Sequence, residues 1–295
     1  MHFVGHSPVG ISSQCWHPIS MKKIAFLTCD SLPGIAPDDV SLVNELTRNG
    51  QFLVETPSWR SSTNWTLFDF VIIRSTWDYT SAPVEFLNVL QKISSETTLL
   101  NSFEVVNWNY HKGYLKELAS KGILIVPTLF FSHDEKIEIP SNWPDKLIIK
   151  PAISATSSFT SIVERDSFPK LHPADWLCQP YLENITEGEI SLHYFDAKFS
   201  HACLKIPKSG DFRVQEDFGG RVVGYAPDSE LLLLGQNIIS AIPFKLLYAR
   251  VDLIAYEGSY ALMELELIEP SLHFRSHPGS EKNFAAAFSN FAKAK

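Results

Sequence analysis

Three carboxylates, Asp252, Glu264 and Glu266, are the residues whose spacing most directly suggests chemistry. They lie in Ala249 to Leu272, where two apolar runs flank a turn at Glu257-Gly258-Ser259, the pattern of a β-hairpin. Residues i and i+2 of a strand share a face, so Glu264 and Glu266 project together, and Asp252 can join them from the neighbouring strand. Three carboxylates held close repel one another, and a divalent cation removes that cost. An all-oxygen donor set selects Mg²⁺, or Mn²⁺, over zinc, and Mg²⁺ commonly completes its octahedron with phosphate oxygens. The competing reading makes the three carboxylates the solvated face of an amphipathic strand.

A second signal is Lys150. It ends the apolar run Leu147 to Lys150, just before Pro151. A buried strand that ends in lysine desolvates an ammonium, and a phosphate would supply the counter-charge. The segment after it, Ile153 to Ser161, is small and polar, like a loop that folds over a ligand, but it lacks the glycines of a phosphate cradle. A third signal is Arg74-Ser75-Thr76-Trp77-Asp78-Tyr79, which follows the apolar run Phe70 to Ile73.

These residues need elements to place them. Lys23 to Thr28, Phe52 to Glu55, Phe70 to Ile73 and Leu99-Leu100 read as strands. Helices from Asp38 or Asp39 to about Arg48, and from Pro83 to about Ile93, alternate with them. That alternation predicts an α/β domain with a parallel open sheet, whose ligands sit at the carboxyl ends of strands. Beyond Asn101 the pattern changes. Tyr110, Tyr114, Leu115 and Leu118 predict one helix closed by Gly122, with Lys112 on it but off the apolar stripe. Trp176 to Leu182 predicts a strand running into a linker. Glu187-Gly188-Glu189 opens a further strand to Phe195, and a turn at Asp196-Ala197 leads into Phe199 to Leu204, which Lys205 ends. Asp228 or Ser229 caps a helix to about Ile239, and a last helix spans Glu281 to Ala292.

Composition narrows the classes. A chain of 295 residues, 45% apolar and 20% charged, is that of a globular protein with a large core. A net charge of −8 without a Lys/Arg tract argues against nucleic acid as a partner. No apolar run approaches a membrane span, so no membrane partner is expected. Cys15, Cys29, Cys178 and Cys203 lack CxxC spacing, which argues against zinc and a disulfide framework and suits a reducing cytoplasm. Residues 1–20 lack the features of a signal peptide; they are read as a poorly ordered extension, or as lying upstream of the real start, with Met21 opening the first strand.

Taken in order, these segments resemble the ATP-grasp superfamily of carboxylate–amine ligases, over about Asn101 to Leu272. Lys112, the IIKP strand end at Lys150, QPYL at Gln179 to Leu182, and the acidic trio occur in that superfamily's order. GDFRVQEDFGG resembles a segment of the glutathione synthetase and ribosomal-protein glutamate ligase branch. RSTWDY, KPAISA, SHACLKIPKSGDFRVQEDFGG and MELELIEPSL are similar, closer still, to the O-ureido-serine cyclo-ligases of cycloserine biosynthesis and their relatives, a likeness that extends over the first domain. Glu266 and Gln215 stand where many superfamily members carry asparagine; both remain oxygen donors.

The resemblance implies an ATP-grasp fold of two lobes, about 101–182 and 183–295, behind an α/β domain of about 21–100 on the substrate side. It implies ATP between the lobes, with Lys112 and Lys150 on its phosphates and Lys205 and Arg213 assisting. Adenine would meet the backbone of Gln179, Tyr181 and Leu182, and the ribose Glu187 or Glu189. Magnesium would be held by Asp252, Glu264 and Glu266. Arg74, Ser75 and Asp78 would grip a small amino-acid-like substrate, with Arg250 and Arg275 as further candidates. The implied reaction is ATP-dependent ligation through an acyl phosphate, shielded when the 153–159 loop closes. An ATP-dependent kinase and a non-catalytic ATP-binding protein remain alternatives, and a homo-oligomer is left open.

Overall fold

A computed structural model describes residues 21–32, 34–155 and 159–293. The expected extension at 1–20, and residues 156–158 of the expected closing loop, lie outside the described residues.

Three sheets build the molecule. In the first, β1 (Lys22–Thr28), β2 (Phe52–Glu55), β3 (Phe70–Ser75) and β4 (Thr98–Leu100) run parallel in the order β2-β1-β3-β4. Both faces of β1 are covered. Ile24 and Phe26 pack with Leu42 and Leu46 of α1 (Val40–Thr47) and with Phe284 and Phe288 of α6 (Glu281–Lys293). Ala25 and Leu27 pack with Phe86, Leu90 and Ile93 of α2 (Pro83–Glu96). Burial on both faces is why these strands read as unbroken apolar runs. β3 is longer than its apolar core suggests: Arg74 and Ser75 lie within the strand, not beyond it.

The second sheet is antiparallel, in the order β5-β8-β6-β7, from Leu129–Ser132 (β5), Lys146–Pro151 (β6), Ser161–Glu164 (β7) and Asp175–Pro180 (β8). The third holds β9 (Glu189–Phe195), β10 (Lys198–Ile206), β11 (Arg221–Tyr225), β12 (Tyr248–Tyr256) and β13 (Ser259–Glu266), in the order β11-β10-β9-β12-β13. Two of its hairpins close through two-residue loops. Asp196 and Ala197 have φ of 49° and 59°, and Glu257 and Gly258 have φ of 49° and 79°. Two positive φ values are the signature of the turn whose twist matches its strands.

The predicted single helix over Tyr110 to Gly122 is instead two, α3 (Phe103–Asn109) and α4 (Tyr114–Ser120). Lys112 sits in the break, where its N–H donates to the Ala152 carbonyl at 2.8 Å rather than continuing a helix. α5 (Ser229–Ala241) starts as expected, with the Asp228 carboxylate accepting from the Leu231 N–H at 2.8 Å.

Buried polar side chains join the first sheet to the third. The Asn101 amide donates to the Tyr248 and Leu267 carbonyls at 2.9 and 2.8 Å and accepts from the Leu247 N–H at 2.7 Å. Asn109 likewise brackets the exit of β13, donating to the Leu265 carbonyl and accepting from the Leu267 N–H. These amides satisfy backbone groups that no neighbouring strand reaches.

Candidate nucleotide-binding cleft

β9 reads Glu189-Ile190-Ser191-Leu192-His193-Tyr194-Phe195, and all seven residues are buried. Ile190, Leu192 and Tyr194 enter the main core beside Leu231 and Ile238 of α5. Strand alternation therefore turns Glu189, Ser191 and His193 to the opposite face. Register completes that face. Lys205 and Cys203 of β10 stand opposite Glu189 and Ser191. Asp252 and Arg250 of β12 stand opposite Ser191 and His193. Glu264 and Glu266 of β13 stand opposite Asp252 and Arg250, through a one-residue register shift between Asp252 and Leu253.

A cleft of about 460 Å³ opens over part of this polar face. All three sheets wall it. β3 contributes Arg74, β6 contributes Lys150, the break before α4 contributes Lys112, and the third sheet contributes Lys205, Asp252 and Glu264.

The cations on its walls differ in how they are compensated. Lys112 meets Glu264 at 3.1 Å and donates to the Ser154 carbonyl at 2.8 Å. Lys205 pairs with Glu189, and with Asp252 at 3.1 Å. Arg250 pairs with Asp252 at 2.9 Å and with Glu266. Arg213, partly exposed, is held to Asp211 at 2.7 Å. Lys150 is the exception. It is 8% exposed, and no hydrogen bond or ion pair reaches its ammonium among the described residues. Burial pushes its pKa down against the pull of Glu264. A lysine this buried, facing a cleft and stabilised only through space by Glu264, Glu189 and Asp252, is suited to an anion.

The acids respond in kind. Burial works against ionisation of Asp252, but Arg250 and Lys205 hold its carboxyl below the usual range. Lys112 and Lys150 do the same for Glu264 against burial. Burial pushes Glu266 up to about 7 despite Arg250. Glu269, on the segment after β13, is pushed up to about 8 by burial and then by Glu266.

Several expected residues stand elsewhere. Glu187 ends a short 3-10 helix, is exposed, and does not line the cleft; of the two ribose candidates the structure brings in Glu189. Gln179, Tyr181 and Leu182 all line the cleft, but the Tyr181 N–H already donates to the Lys146 carbonyl at 3.1 Å. Ser75 is buried with its hydroxyl on that of Thr28, at 3.2 Å. Asp78 accepts from the Trp59 indole at 2.7 Å and pairs with Arg60. Neither is among the residues that line the cleft, and both side chains are engaged by protein partners instead. Arg74 does line it. Its guanidinium is fixed to Asp39 at 2.7 Å and 3.1 Å, while its Nη1 is buried without a partner. Arg275, also at the cleft, pairs with Glu216 at 2.8 Å.

Sequence reasoning missed Asp39, Ser191, His193 and Glu269. The polar alternation Glu189-Ser191-His193 within an otherwise apolar strand was the available signal for two of them. The positions of Asp39 and Glu269 depend on packing between sheets.

Fold and cleft together define the class: this is an ATP-grasp fold preceded by a small parallel-sheet α/β domain. The chain is related to the cycloserine biosynthesis protein DcsG of Streptomyces lavendulae, at 26% identity over 291 residues, covering 86% of this chain and 94% of that protein. Residues 24–101 match the family described as the N-terminal domain of D-cycloserine synthetase DcsG. The crystal structure of D-cycloserine synthetase DcsG superposes with a TM-score of 0.77 at 23% identity, covering 91% of this chain and 99% of that one. D-alanine–D-alanine ligase from Bacillus anthracis, complexed with ATP, gives 0.63 at 14% identity, over 92% and 96%. The ATP-grasp ligase PsnB, complexed with minimal precursor, Mg and ADP, gives 0.58 at 13% identity, over 90% and 97%.

Proposed function

We propose that this chain is an ATP- and magnesium-dependent ligase that activates the carboxylate of a small amino-acid-like substrate as an acyl phosphate. A nitrogen nucleophile then displaces phosphate. The observation that carries this reading is Lys150, a buried lysine with no hydrogen bond or ion pair among the described residues, set beside Lys112 and Glu264 in the cleft of an ATP-grasp fold. The ATP complex of the D-alanine–D-alanine ligase and the Mg and ADP complex of PsnB support the choice of nucleotide and metal.

Lys150 and Lys112 would hold the phosphates, with Lys205 and Arg213 nearby. Glu264 and Glu266, half-buried and open to the cleft, fit magnesium as all-oxygen donors, and Asp252 is the third. Asp252 already accepts from Ser191, Arg250 and Lys205, so it must exchange a partner to bind metal. Bound magnesium would neutralise charge on phosphate oxygens. Arg74 is the residue for the substrate carboxylate, because it lines the cleft, its buried Nη1 has no partner, and Asp39 fixes its plane. In the reaction a carboxylate oxygen bonds to the γ-phosphorus and the β–γ bridging bond breaks, releasing ADP. The nitrogen then bonds to the acyl carbon, the carbon–oxygen bond to phosphate breaks, and the nitrogen's proton passes to a base. Excluding water protects the intermediate. Whether the nitrogen lies in the same molecule decides between ring and amide products. The chain's relationship to the cycloserine protein favours ring closure.

The test is substrate-dependent ADP release with hydroxylamine present, across a panel of D- and L-amino acids and their ureido and aminooxy derivatives. A hydroxamate forming alongside ADP is the expected result. A stable phosphorylated alcohol would make the protein a kinase, and ATP binding without ADP release from any substrate would make it a binding protein. Arg74→Ala alone strands the buried Asp39 carboxylate and should cost about 3–5 kcal/mol. The double variant Asp39→Asn/Arg74→Met should recover most of that stability in urea melts, keep ATP affinity, and lose hydroxamate formation.

A further inference from the structure

Independently of the nucleotide reading, the polar face of the third sheet continues past the carboxylates to His193, Cys203 and His273. They come from β9, from β10 and from the segment after β13, and no sequence spacing links them. His193 and Cys203 are fully buried; His273 is half-buried and borders the cleft. Their donor atoms all lie within 4.8 Å of one another, and this is the only such trio among the described residues. His193 Nε2 is 3.2 Å from His273 Nδ1, and Cys203 Sγ is 3.5 Å from the same nitrogen.

Those two separations have a simple reading. Zinc binds imidazole nitrogen at about 2.0–2.1 Å and thiolate sulfur at about 2.3 Å, in tetrahedral geometry. At the tetrahedral angle, such bonds set two nitrogens about 3.3 Å apart and a nitrogen and sulfur about 3.5 Å apart. The observed edges match both. His201, stacked on His193 with ring centroids 4.2 Å apart, is not a fourth ligand. Its nitrogens are committed to the Leu272 carbonyl at 2.8 Å and the Ser200 hydroxyl at 3.0 Å. We propose that His193, Cys203 and His273 form a three-ligand site for a borderline-soft divalent cation, zinc in the first instance, distinct from the oxygen site of Asp252, Glu264 and Glu266.

The chemistry separates the two ions. Nitrogen and sulfur donors favour zinc, whereas magnesium takes oxygen. Burial, the largest effect, together with neighbouring positive charge, keeps both imidazoles neutral, the form that ligates a metal. Burial also pushes the Cys203 thiol up to about 12, so metal binding would have to release its proton. A zinc thiolate adds one positive charge beside Arg250 and Lys205, whose ion pairs with Asp252, Glu189 and Glu266 weaken the repulsion it meets. Since His273 alone of the three borders the cleft, a water as fourth ligand would enter from that side. The bound ion would pin the segment that carries Glu269 and Ser271 into the cleft against β9 and β10.

The experiment uses the whole chain, stripped with chelator, reloaded with Zn²⁺ or Co²⁺ in the presence of excess Mg²⁺, and desalted. One zinc per chain should be retained, and zinc should raise the melting temperature. The cobalt form should show thiolate-to-metal charge transfer and strong tetrahedral d–d bands. Cys203→Ser should lose the charge-transfer band and bind zinc at least tenfold more weakly. His193→Phe, which keeps a ring of similar size, should lose both the zinc and the thermal shift, and it serves if Cys203→Ser does not fold. A wild-type chain that retains no zinc, or two variants that bind it as wild type does, would overturn the proposal.

Discussion

Lys150 shows how one residue's energetics can point to a ligand. Its neighbours on the cleft walls make direct ion pairs inside the protein, whereas it feels its acids only through space. Lys150→Met keeps the stem's packing and removes only the charge. ATP affinity measured by calorimetry should fall about 10–100-fold, corresponding to a loss of about 1.5–3 kcal/mol of charged hydrogen bonding. Unchanged affinity would make Lys150 structural. Glu269 is the acidic counterpart, its carboxyl raised from 4.5 to about 8 in the folded state. A raised folded pKa means that the native state binds the extra proton. Glu269's contribution to stability is therefore whole below about 4.5 and fades as pH rises toward and past 8. Glu269→Gln should flatten that decline in the nucleotide-free protein, leaving it a few kcal/mol more stable than wild type near pH 9 in urea titrations. Parallel curves for the two proteins would remove Glu269 from the balance.

At the scale of elements, the third sheet does the positioning. Its core face is apolar and packs on α5, so its other face can concentrate charge without weakening the sheet. Each hairpin starts in the register its two-residue turn sets and then shifts by one residue at a bulge, between Asp252 and Leu253 and between Phe199 and His201; the first shift is what brings Glu264 opposite Asp252. The segment from Asp211 to Gly220 lines the cleft through Phe212, Arg213 and Val214 and depends on a close backbone approach. A Cβ on Gly220 would collide with the Val214 carbonyl. Gly220→Ala must therefore reshape the segment that carries Arg213. It should reduce turnover at least tenfold and cost about 1–3 kcal/mol of stability, because Val214 is buried with Val126, Ile185 and Ile254. Steady-state kinetics beside a denaturant melt would show it; unchanged turnover would mean the segment is a passive edge.

Across the whole molecule, the first and third sheets are joined by few but well-satisfied polar contacts. Asn101 makes three hydrogen bonds to the backbone around β12 and β13, and the Tyr248 hydroxyl lies 2.9 and 2.8 Å from the Ile73 and Ile268 carbonyls. α6 covers the first sheet beside α1, so the core around Ile24 and Phe26 is completed by Phe284 and Phe288 from the far side of the other two sheets in sequence. Asn101→Ala should leave an N–H and two carbonyls unpaired and cost about 3 kcal/mol or more. Because the joint also sets Arg74 against the third sheet, the Michaelis constant for the carboxylate substrate should rise more than that for ATP. Equal effects on both substrates would show the joint to be merely structural.

Much was legible along the chain itself. Alternating apolar runs and caps determined the parallel first sheet, and the turn at Glu257-Gly258 determined the hairpin and the shared face of Glu264 and Glu266, because these follow from local backbone geometry; the register shift that sets Glu264 opposite Asp252 did not. Lys150 was legible because desolvation makes a lysine at the end of a buried strand unusual wherever the fold places it. Tertiary structure alone decided which charges are spent. Ser75 and Asp78 share a segment with Arg74, yet their partners Thr28, Trp59 and Arg60 draw them away from the cleft. The break at Lys112 depends on a carbonyl forty residues later, and no helix periodicity contains it. His193, Cys203 and His273 meet only because register aligns two strands and a third segment folds back over them. Sequence carries period and propensity, which are local; pairing between buried polar groups depends on what the folded chain brings within reach.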